Sequence, residues 1–319
     1  MHDHDHNHEH NHGRMGRRFV LALSITSVIL VAEVVGGILS NSLALLSDAA
    51  HVFLDVFALA MSYVALRLAE RPADERHTFG FHRGKVLAAL ANSLLLFLMV
   101  FFIGREAWER WLNPRVVDSG LMLGVAVIGL AANLVVARVL HGHDRDDINT
   151  RSAFLHVLGD ALASVGVIAG AVVIGLTGWY AVDPILSVLI CLLILRGAWG
   201  ILRESVHILV EGSPAGVNVR DVASAIGAAP GVLNVHDLHV WSVGPGYVSL
   251  SAHVLLEDQA LAATQAAMDA IKERLEHGFG IHHTTIQFEC NHCGQCVDAF
   301  DNGVCYPRPV APNGGSSEH

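Results

Sequence analysis

Charged side chains are scarce in this chain of 319 residues, where Asp, Glu, Lys and Arg together make up only 16%. A soluble domain carries closer to about a quarter of such residues. More than half of the chain, 52%, is hydrophobic, and its mean hydropathy is positive. This composition excludes an ordinary soluble protein and indicates a protein embedded in a lipid bilayer.

Motifs that would define other classes are also missing. The hydrophobic part of the chain has no His-Glu-x-x-His sequence, which argues against an intramembrane metalloprotease, and the one match, at 8–12, lies in the His-rich N-terminus. The chain also has no nucleotide-binding motif, so we expect no enzyme. It has no basic patch with interleaved aromatics, so we expect no nucleic-acid partner. No disulfide framework is expected, because four of the five cysteines lie in the last thirty residues: Cys290, Cys293, Cys296 and Cys305.

Long apolar runs fill the first two thirds of the chain. A helix needs about 20 such residues to cross the roughly 30 Å hydrocarbon core. Six runs are long enough: 18–39, 43–69, 84–111, 117–140, 152–176 and 183–204. The sequence therefore predicts an α-helical membrane protein with six transmembrane helices.

The transmembrane domain, 17–211, is expected to follow a His-rich tail, 1–16, and to precede a small α+β domain, 212–289. The tail lacks the features of a signal peptide, and its histidines suit either a labile metal collector or a plain solvated tail. Alternation and turn signals in the small domain predict the order αββαβ. Its elements are expected at 219–229, 232–243, 247–256, 260–277 and 284–289, before a Cys-containing tail at 290–319.

The distribution of Lys and Arg predicts the orientation. Basic residues cluster before the first run and in the second and fourth connections, whereas the first and fifth connections have none. By the positive-inside rule, both termini lie in the cytoplasm of a multi-pass cell-membrane protein.

Two His-x-x-x-Asp pairs, His51/Asp55 and His156/Asp160, lie inside separate apolar runs. Residues four apart share one helix face. An ionisable group at mid-bilayer costs about 2.5–3.5 kcal/mol, so such residues indicate an ion pathway. Two pairs supply four N/O ligands, the number that tetrahedral zinc takes. Because metal binding requires neutral His and ionised Asp, the same four groups are predicted to exchange metal for protons.

Other polar residues lie in the same runs. Asp48 shares the stripe of His51 and Asp55, and is either a metal-entry residue or a helix-start cap. Glu33, Asn92 and Asn133 are interpreted mainly as interhelical hydrogen bonders.

The stretches SLALLSDAAHVFLD at 42–55 and HTFGFHR at 77–83 resemble the cation diffusion facilitator family, and so do RSAFLHVLGD at 151–160, VDPI at 182–185 and VHDLHVW at 235–241. The resemblance extends from residue 17 to 289. It implies a homodimer of six-span protomers, each with a ferredoxin-like cytoplasmic domain, that exchanges zinc or a related divalent ion for protons. A His/Asp second span with a His/Asp fifth span resembles the zinc-preferring members.

The expected function is therefore a secondary active transporter that exports Zn2+ from the cytoplasm in exchange for protons by alternating access. Cadmium and cobalt also suit imidazole and carboxylate ligands. The alternative is a membrane-bound metal sensor or buffer that does not transport.

The resemblance also implies a regulatory zinc in the small domain, at positions that match His236 and His253. Gln287 and Glu289 depart from the His-rich version of that site and put a binuclear centre in doubt. His236, His239, His253 and Glu289 remain candidate ligands for one ion.

Three further candidates stay open. Cys290, Cys293 and Cys296, with His292 or Cys305, have zinc-ligand spacing but are also compatible with idle thiols. The family sometimes binds metal in the second connection, where Asp74, His77 and His82 form either such a site or a solvated charged turn. Lys85 and Glu211 are expected to pair near the membrane boundary.

Overall fold

The structure is a computed structural model that describes the backbone of residues 9–140, 148–257 and 260–290. Side chains are described for 24–138, 157–257 and most of 260–290. The described residues fall into two compact units. One extends to Val64 and from Ala88 to Leu202, and the other comprises Ala65–Leu87 and the chain from Arg203 onward.

The first unit is built from six long helices. They are α1 (Glu9–Ser40), α2 (Leu43–Ala69), α3 (Arg83–Leu112), α4 (Ser119–Leu140), α5 (Ile148–Thr177) and α6 (Val182–Leu209). Of these, α2, α3 and α6 each have one end among the residues of the second unit. In the described residues, five of the six helices are long and apolar enough to cross a membrane, and α1 contributes a shorter apolar stretch, Ser24–Ser40. The predicted helical membrane fold is confirmed, although α1 begins earlier than the predicted residue 18.

The core of this unit is made of buried apolar side chains such as Ala44, Met122 and Val167. Many large apolar side chains, among them Phe101 and Leu193, instead face outward. A helix that is apolar around most of its circumference suits a lipid environment rather than water. The pattern is that of a bundle surrounded by hydrocarbon.

Helix α2 starts immediately after a tight turn from α1. Asn41 adopts a left-handed φ of 55°, a conformation that Asn tolerates better than most residues. The hydroxyl of Ser42 accepts a hydrogen bond from the Leu45 N–H at 3.2 Å, so Ser42 caps α2. Asp48 lies farther along the helix, and the interpretation of Asp48 as a helix-start cap is therefore wrong.

The second unit contains the αββαβ domain. Its elements are α7 (Val219–Gly227), β1 (Val232–Gly244), β2 (Tyr247–Leu256), α8 (Leu261–Phe279) and β3 (His283–Glu289). The sheet order is β1-β2-β3, with β1 antiparallel and β3 parallel to β2. Both helices contribute to one core with the sheet, including Ile226, Leu250 and Ile271, which confirms the predicted α+β fold.

Strand β1 is irregular between His236 and His239. His236 pairs with His253, but the next aligned pair is His239 with Ser251, so Asp237 and Leu238 lie opposite the single residue Ala252. Asp237 has a φ of 50°, and a bulge of this kind reorients its side chain.

Candidate metal centre

In the bundle, α2 places a histidine and a carboxylate on one face. The Nε2 atom of His51 lies 3.5 Å from Oδ2 of Asp55, one helical turn farther along α2. Both side chains are partly buried inside an otherwise apolar helix. The i, i+4 spacing thus produces the pairing that the sequence predicted.

Helix α5 brings a second carboxylate to the same histidine. Oδ1 of Asp160 lies 3.9 Å from His51 Nε2. His156 is on α5 one turn before Asp160, and its side chain lies outside the described residues. The structure therefore brings together three of the four predicted residues and places the fourth on the same helix face by backbone position.

His51, Asp55 and Asp160 line a cavity of about 640 Å³ within the first unit. Its remaining wall is mostly apolar and comes largely from α5 and α6, including Gly159, Gly166 and Gly197. Glycine leaves room beside the helix backbone, so the cavity reaches the carboxylates. Such a cavity can admit a small cation to a few convergent polar groups.

Two further acids of this unit are buried close to the paired His and Asp residues. Glu33 of α1 is 2% exposed and Asp48 of α2 is 3% exposed, and Asp48 lines the cavity. Glu33 interacts electrostatically with Asp48 and with Asp160. Among the described residues, Glu33 Oε2 and Asn92 Oδ1 have no hydrogen-bond partner, so these two atoms do not support the interhelical hydrogen bonds expected of them.

The αββαβ domain holds a tighter cluster. Glu289 of β3 lies between two histidines, with Oε2 3.1 Å from His236 Nε2 and Oε1 2.9 Å from His253 Nδ1. The cross-strand pairing of His236 with His253 brings the rings to a centroid distance of 5.4 Å. Among the described residues, these three form the group whose ligand atoms all lie within 4.8 Å.

His239 faces a different partner. Its Nε2 atom lies 3.1 Å from Oδ1 of Asp237, whose Oδ2 lies 3.6 Å from His253 Nε2. Asp237 is therefore next to the cluster and connects His239 to it. Sequence reasoning missed Asp237, because regular alternation along β1 would direct its side chain away from that of His236.

The second connection contains a local turn. Asp74 accepts hydrogen bonds from the backbone N–H groups of Arg76 and His77 at 2.9 and 2.6 Å, and its Oδ1 lies 3.0 Å from His77 Nδ1. The bond from the His77 N–H is the main reason why the pKa of Asp74 is below its ordinary value. The ring of His82 instead stacks on the ring of Tyr247, with 4.8 Å between the ring centroids.

Two other predictions concern the same unit. Glu211 pairs with Arg83 at 3.1 Å, so Lys85 was the wrong partner. Cys290 is a free, exposed thiol, whereas the other predicted members of the tail site, His292, Cys293, Cys296 and Cys305, lie outside the described residues.

The apolar helices define a multi-pass membrane protein with an appended α+β domain. Comparison with known families identifies it further. Residues 19–210 match the model of the cation efflux transmembrane domain, and residues 214–290 match that of the cation efflux protein cytoplasmic domain. The chain belongs to the cation diffusion facilitator family, a family of efflux proteins and not of enzymes.

Curated relatives cover nearly the whole chain. The "Cation efflux system protein CzcD" of Alcaligenes sp. (strain CT14) is 43% identical over 97% of this chain and 95% of the relative. The "Zinc transporter ZitB" of Escherichia coli (strain K12) is 42% identical over 87% and 88%. The "Cadmium, cobalt and zinc/H(+)-K(+) antiporter" of Bacillus subtilis (strain 168) is 39% identical over 88% and 89%.

A solved structure also matches part of the chain. It is the metal-bound C-terminal domain of the CzcD transporter from Cuprividus metallidurans, 40% identical, covering 23% of this chain and 99% of that one. Its TM-score is 0.21, which supports no structural conclusion.

Proposed function

We propose that this protein is a secondary active transporter that exports Zn2+ from the cytoplasm in exchange for protons. One observation carries the proposal: imidazole and carboxylate groups from two apolar helices meet at the wall of a cavity of about 640 Å³. Ionisable acids inside a lipid-facing bundle cost free energy, and residues of this kind mark ion pathways in membrane proteins.

The proposed cargo site consists of His51, Asp55, His156 and Asp160. Two imidazole nitrogens and two carboxylate oxygens match the ligand number of tetrahedral zinc. Cadmium and cobalt accept the same ligands, so we keep them as further cargo ions. The names of the relatives, which include zinc, cadmium and cobalt, support this range.

The same four groups are proposed to couple metal to protons. Zinc binds neutral imidazole and ionised carboxylate, so loading releases protons and protonation releases zinc. Imidazole has an ordinary pKa near 6.5, within reach of physiological pH. Alternating exposure of this site to the two sides of the membrane would then convert a proton gradient into zinc export.

A second zinc ion is proposed to bind His236, His253 and Glu289 as a regulator. The three residues lie on adjacent strands, and their ligand atoms are already close together. Asp237 would act as an outer-shell acceptor that orients His253.

The assembly is proposed to be a homodimer in the cell membrane with both termini in the cytoplasm. The distribution of Lys and Arg supports this orientation, which makes the α1–α2 turn extracytoplasmic. The domain limits 1–16, 17–211, 212–289 and 290–319 remain part of the proposal, and so do the loop site and the Cys tail site.

Zinc flux in proteoliposomes with an imposed pH gradient tests the function. The parent is compared with Asp55→Ala and Asp160→Ala, and with Asp269→Ala, an exposed acid on α8, as matched control. We expect flux that follows the gradient in the parent and control and is lost in both site variants.

Two outcomes would overturn the proposal. Flux that persists in both site variants would refute the cargo site. Tight zinc binding without any flux in a folded parent would favour the metal sensor or buffer, which the cluster at His236, His253 and Glu289 would serve.

A further inference from the structure

Asp183, the second residue of α6, is a fully buried acid whose role the cargo site does not explain. Its carboxylate accepts hydrogen bonds from the Ser42 hydroxyl at 2.6 Å, the Leu43 N–H at 2.7 Å and the Ala44 N–H at 3.1 Å. The acid therefore caps the N-terminus of α2 from another helix, about 140 residues away in sequence.

The start of α2 depends on this cap. The first N–H groups of a helix have no partner within the helix and need one when buried. Asp183 satisfies Leu43 and Ala44, while the hydroxyl of Ser42 satisfies Leu45. The negative charge also complements the positive end of the helix dipole.

Helix α3 contributes the counter-charge. Arg110 is buried, with Nη1 3.6 Å from Asp183 Oδ2 and 2.6 Å from the backbone oxygen of Asn41. Its Nε donates to Glu106 at 3.0 Å. A buried pair of this kind is stable only when its remaining polar atoms are bonded, and here they hold the α1–α2 turn, α3 and α6 together.

The cap is attached to the helix that carries half of the cargo site. With a rise of 1.5 Å per residue, His51 and Asp55 lie about 12 and 18 Å along α2 from Leu43. A tilt of about 10° at the capped end would displace His51 by about 2 Å. Metal–ligand distances tolerate only about 0.2 Å, so a displacement of about 2 Å in the ion-bound state would take His51 out of ligand range.

We propose that Asp183 is a positioning residue for cation transport. By capping α2 from α6, it fixes the tilt and rotation of α2. His51 and Asp55 of α2 then face Asp160 of α5 at the cavity that these residues line. This inference rests on the proposed cargo site.

The test is the zinc concentration dependence of flux for Asp183→Asn. Asn retains one acceptor oxygen but loses the charge and part of the cap. We expect the KM for zinc to rise by about 10- to 100-fold, the range typical of groups that orient metal ligands. A role in stability alone would lower the amount of folded protein and leave the KM of the reconstituted protein unchanged.

Asp118→Asn is the matched control. Asp118 caps α4 at the same end of the bundle, accepting from the N–H groups of Gly120 and Leu121 at 3.0 and 3.1 Å. The bonds of its carboxylate are to its own helix and the residue is exposed, while its backbone bond to Ser40 is unchanged by the substitution, so we expect a parental KM. A parental KM in Asp183→Asn would contradict the inference, and so would a KM raised equally in both variants.

Ser42 gives a second, milder test in case Asp183→Asn does not fold. Ser42→Ala removes both the 2.6 Å bond to Asp183 and the 3.2 Å cap on Leu45 and should raise the KM several-fold, whereas Ser42→Thr, which keeps the hydroxyl, should retain a KM near that of the parent. An unchanged KM in Ser42→Ala would overturn the inference.

Failure of the transport proposal is recognised separately, by a folded parent without flux. The variants are then compared by equilibrium zinc binding at the cargo site. This is the zinc bound by each variant minus the zinc bound by the same variant with His51→Ala and Asp55→Ala added. Weaker binding in Asp183→Asn would still support its positioning role, and unchanged binding would refute it.

Discussion

In the bundle, His51 lies 3.5 and 3.9 Å from carboxylates on two helices, whereas in the α+β domain Glu289 lies 3.1 and 2.9 Å from two histidines. Ligand atoms around one tetrahedral zinc ion are about 3.3 Å apart. The bundle cluster is wider than that distance and the domain cluster slightly narrower. The bundle side chains are also more exposed, 17–28% against 4–17%.

The difference follows from how each cluster is supported. Hydrogen-bonded strands fix the distance between His236, His253 and Glu289, so little movement is needed to bind an ion. His51 and Asp160 depend on the packing of separate helices beside a cavity. A carrier must bind its ion and also release it, so a site that closes and opens by helix movement is suited to passage.

The largest effect is expected from His156→Ala, because it removes a proposed cargo ligand. Flux should fall by more than the roughly 100-fold that loss of an outer-shell group can cause. Zinc binding at His236, His253 and Glu289 should be unaffected.

Initial zinc flux in proteoliposomes measures this effect, with His277→Ala on α8 as control. Substantial flux in His156→Ala would show that α5 contributes only Asp160 to the cargo site.

Asp237→Asn should weaken the domain cluster by about 10- to 100-fold in zinc affinity, because it removes an outer-shell carboxylate beside His253. Asn tolerates the left-handed backbone at this bulge, so the strand should be preserved. Isothermal titration of the full-length protein measures the affinity, and Glu273→Gln is an exposed control. Equal affinity in Asp237→Asn and the parent would remove Asp237 from the site.

His51→Asp should change the selectivity among metal ions more than the rate of zinc transport. An added carboxylate favours harder, oxygen-seeking ions such as manganese, which imidazole disfavours. Competition of manganese with zinc flux, compared with the parent, gives the measurement. If the metal range does not broaden, His51 is not the basis of selectivity.

The smallest effect is expected from Asp74→Asn. The pKa of Asp74 is lowered, chiefly by the bond from the His77 N–H, so the contribution of its carboxylate to the turn is fully present above the ordinary value of 3.8 and is lost as pH falls through the lower folded-state pKa. At neutral pH, the backbone amide hydrogen of His77 should exchange with solvent faster in the variant than in the parent, and zinc flux should change little. A large loss of flux would instead support a metal site in this connection.

Local sequence pattern was sufficient for part of this architecture. The apolar runs predicted the helices, and the spacing of His51 and Asp55 predicted their shared face, because both depend on helix periodicity alone. Cross-strand pairing of His236 with His253 was also accessible from alternation around the turn at Gly246.

Other features depend on packing between distant segments. The cap from Asp183 to Leu43 joins residues about 140 apart, and no local signal distinguishes it from an ordinary helix-start acid. Asp237 reaches His253 only because β1 is bulged, which alternation cannot show. Arg83 rather than Lys85 pairs with Glu211. These two residues are two positions apart on α3, so their side chains point about 200° apart around the helix.

The most direct test of the division between the two clusters is paired flux and equilibrium binding on the same preparations of Asp160→Asn and His236→Ala. We expect Asp160→Asn to abolish zinc flux while keeping the ion bound at the domain cluster, and His236→Ala to lose that ion while still transporting at saturating zinc. The reverse pattern, with flux retained in Asp160→Asn and abolished in His236→Ala, would contradict the assignment of the bundle cluster as the transport site.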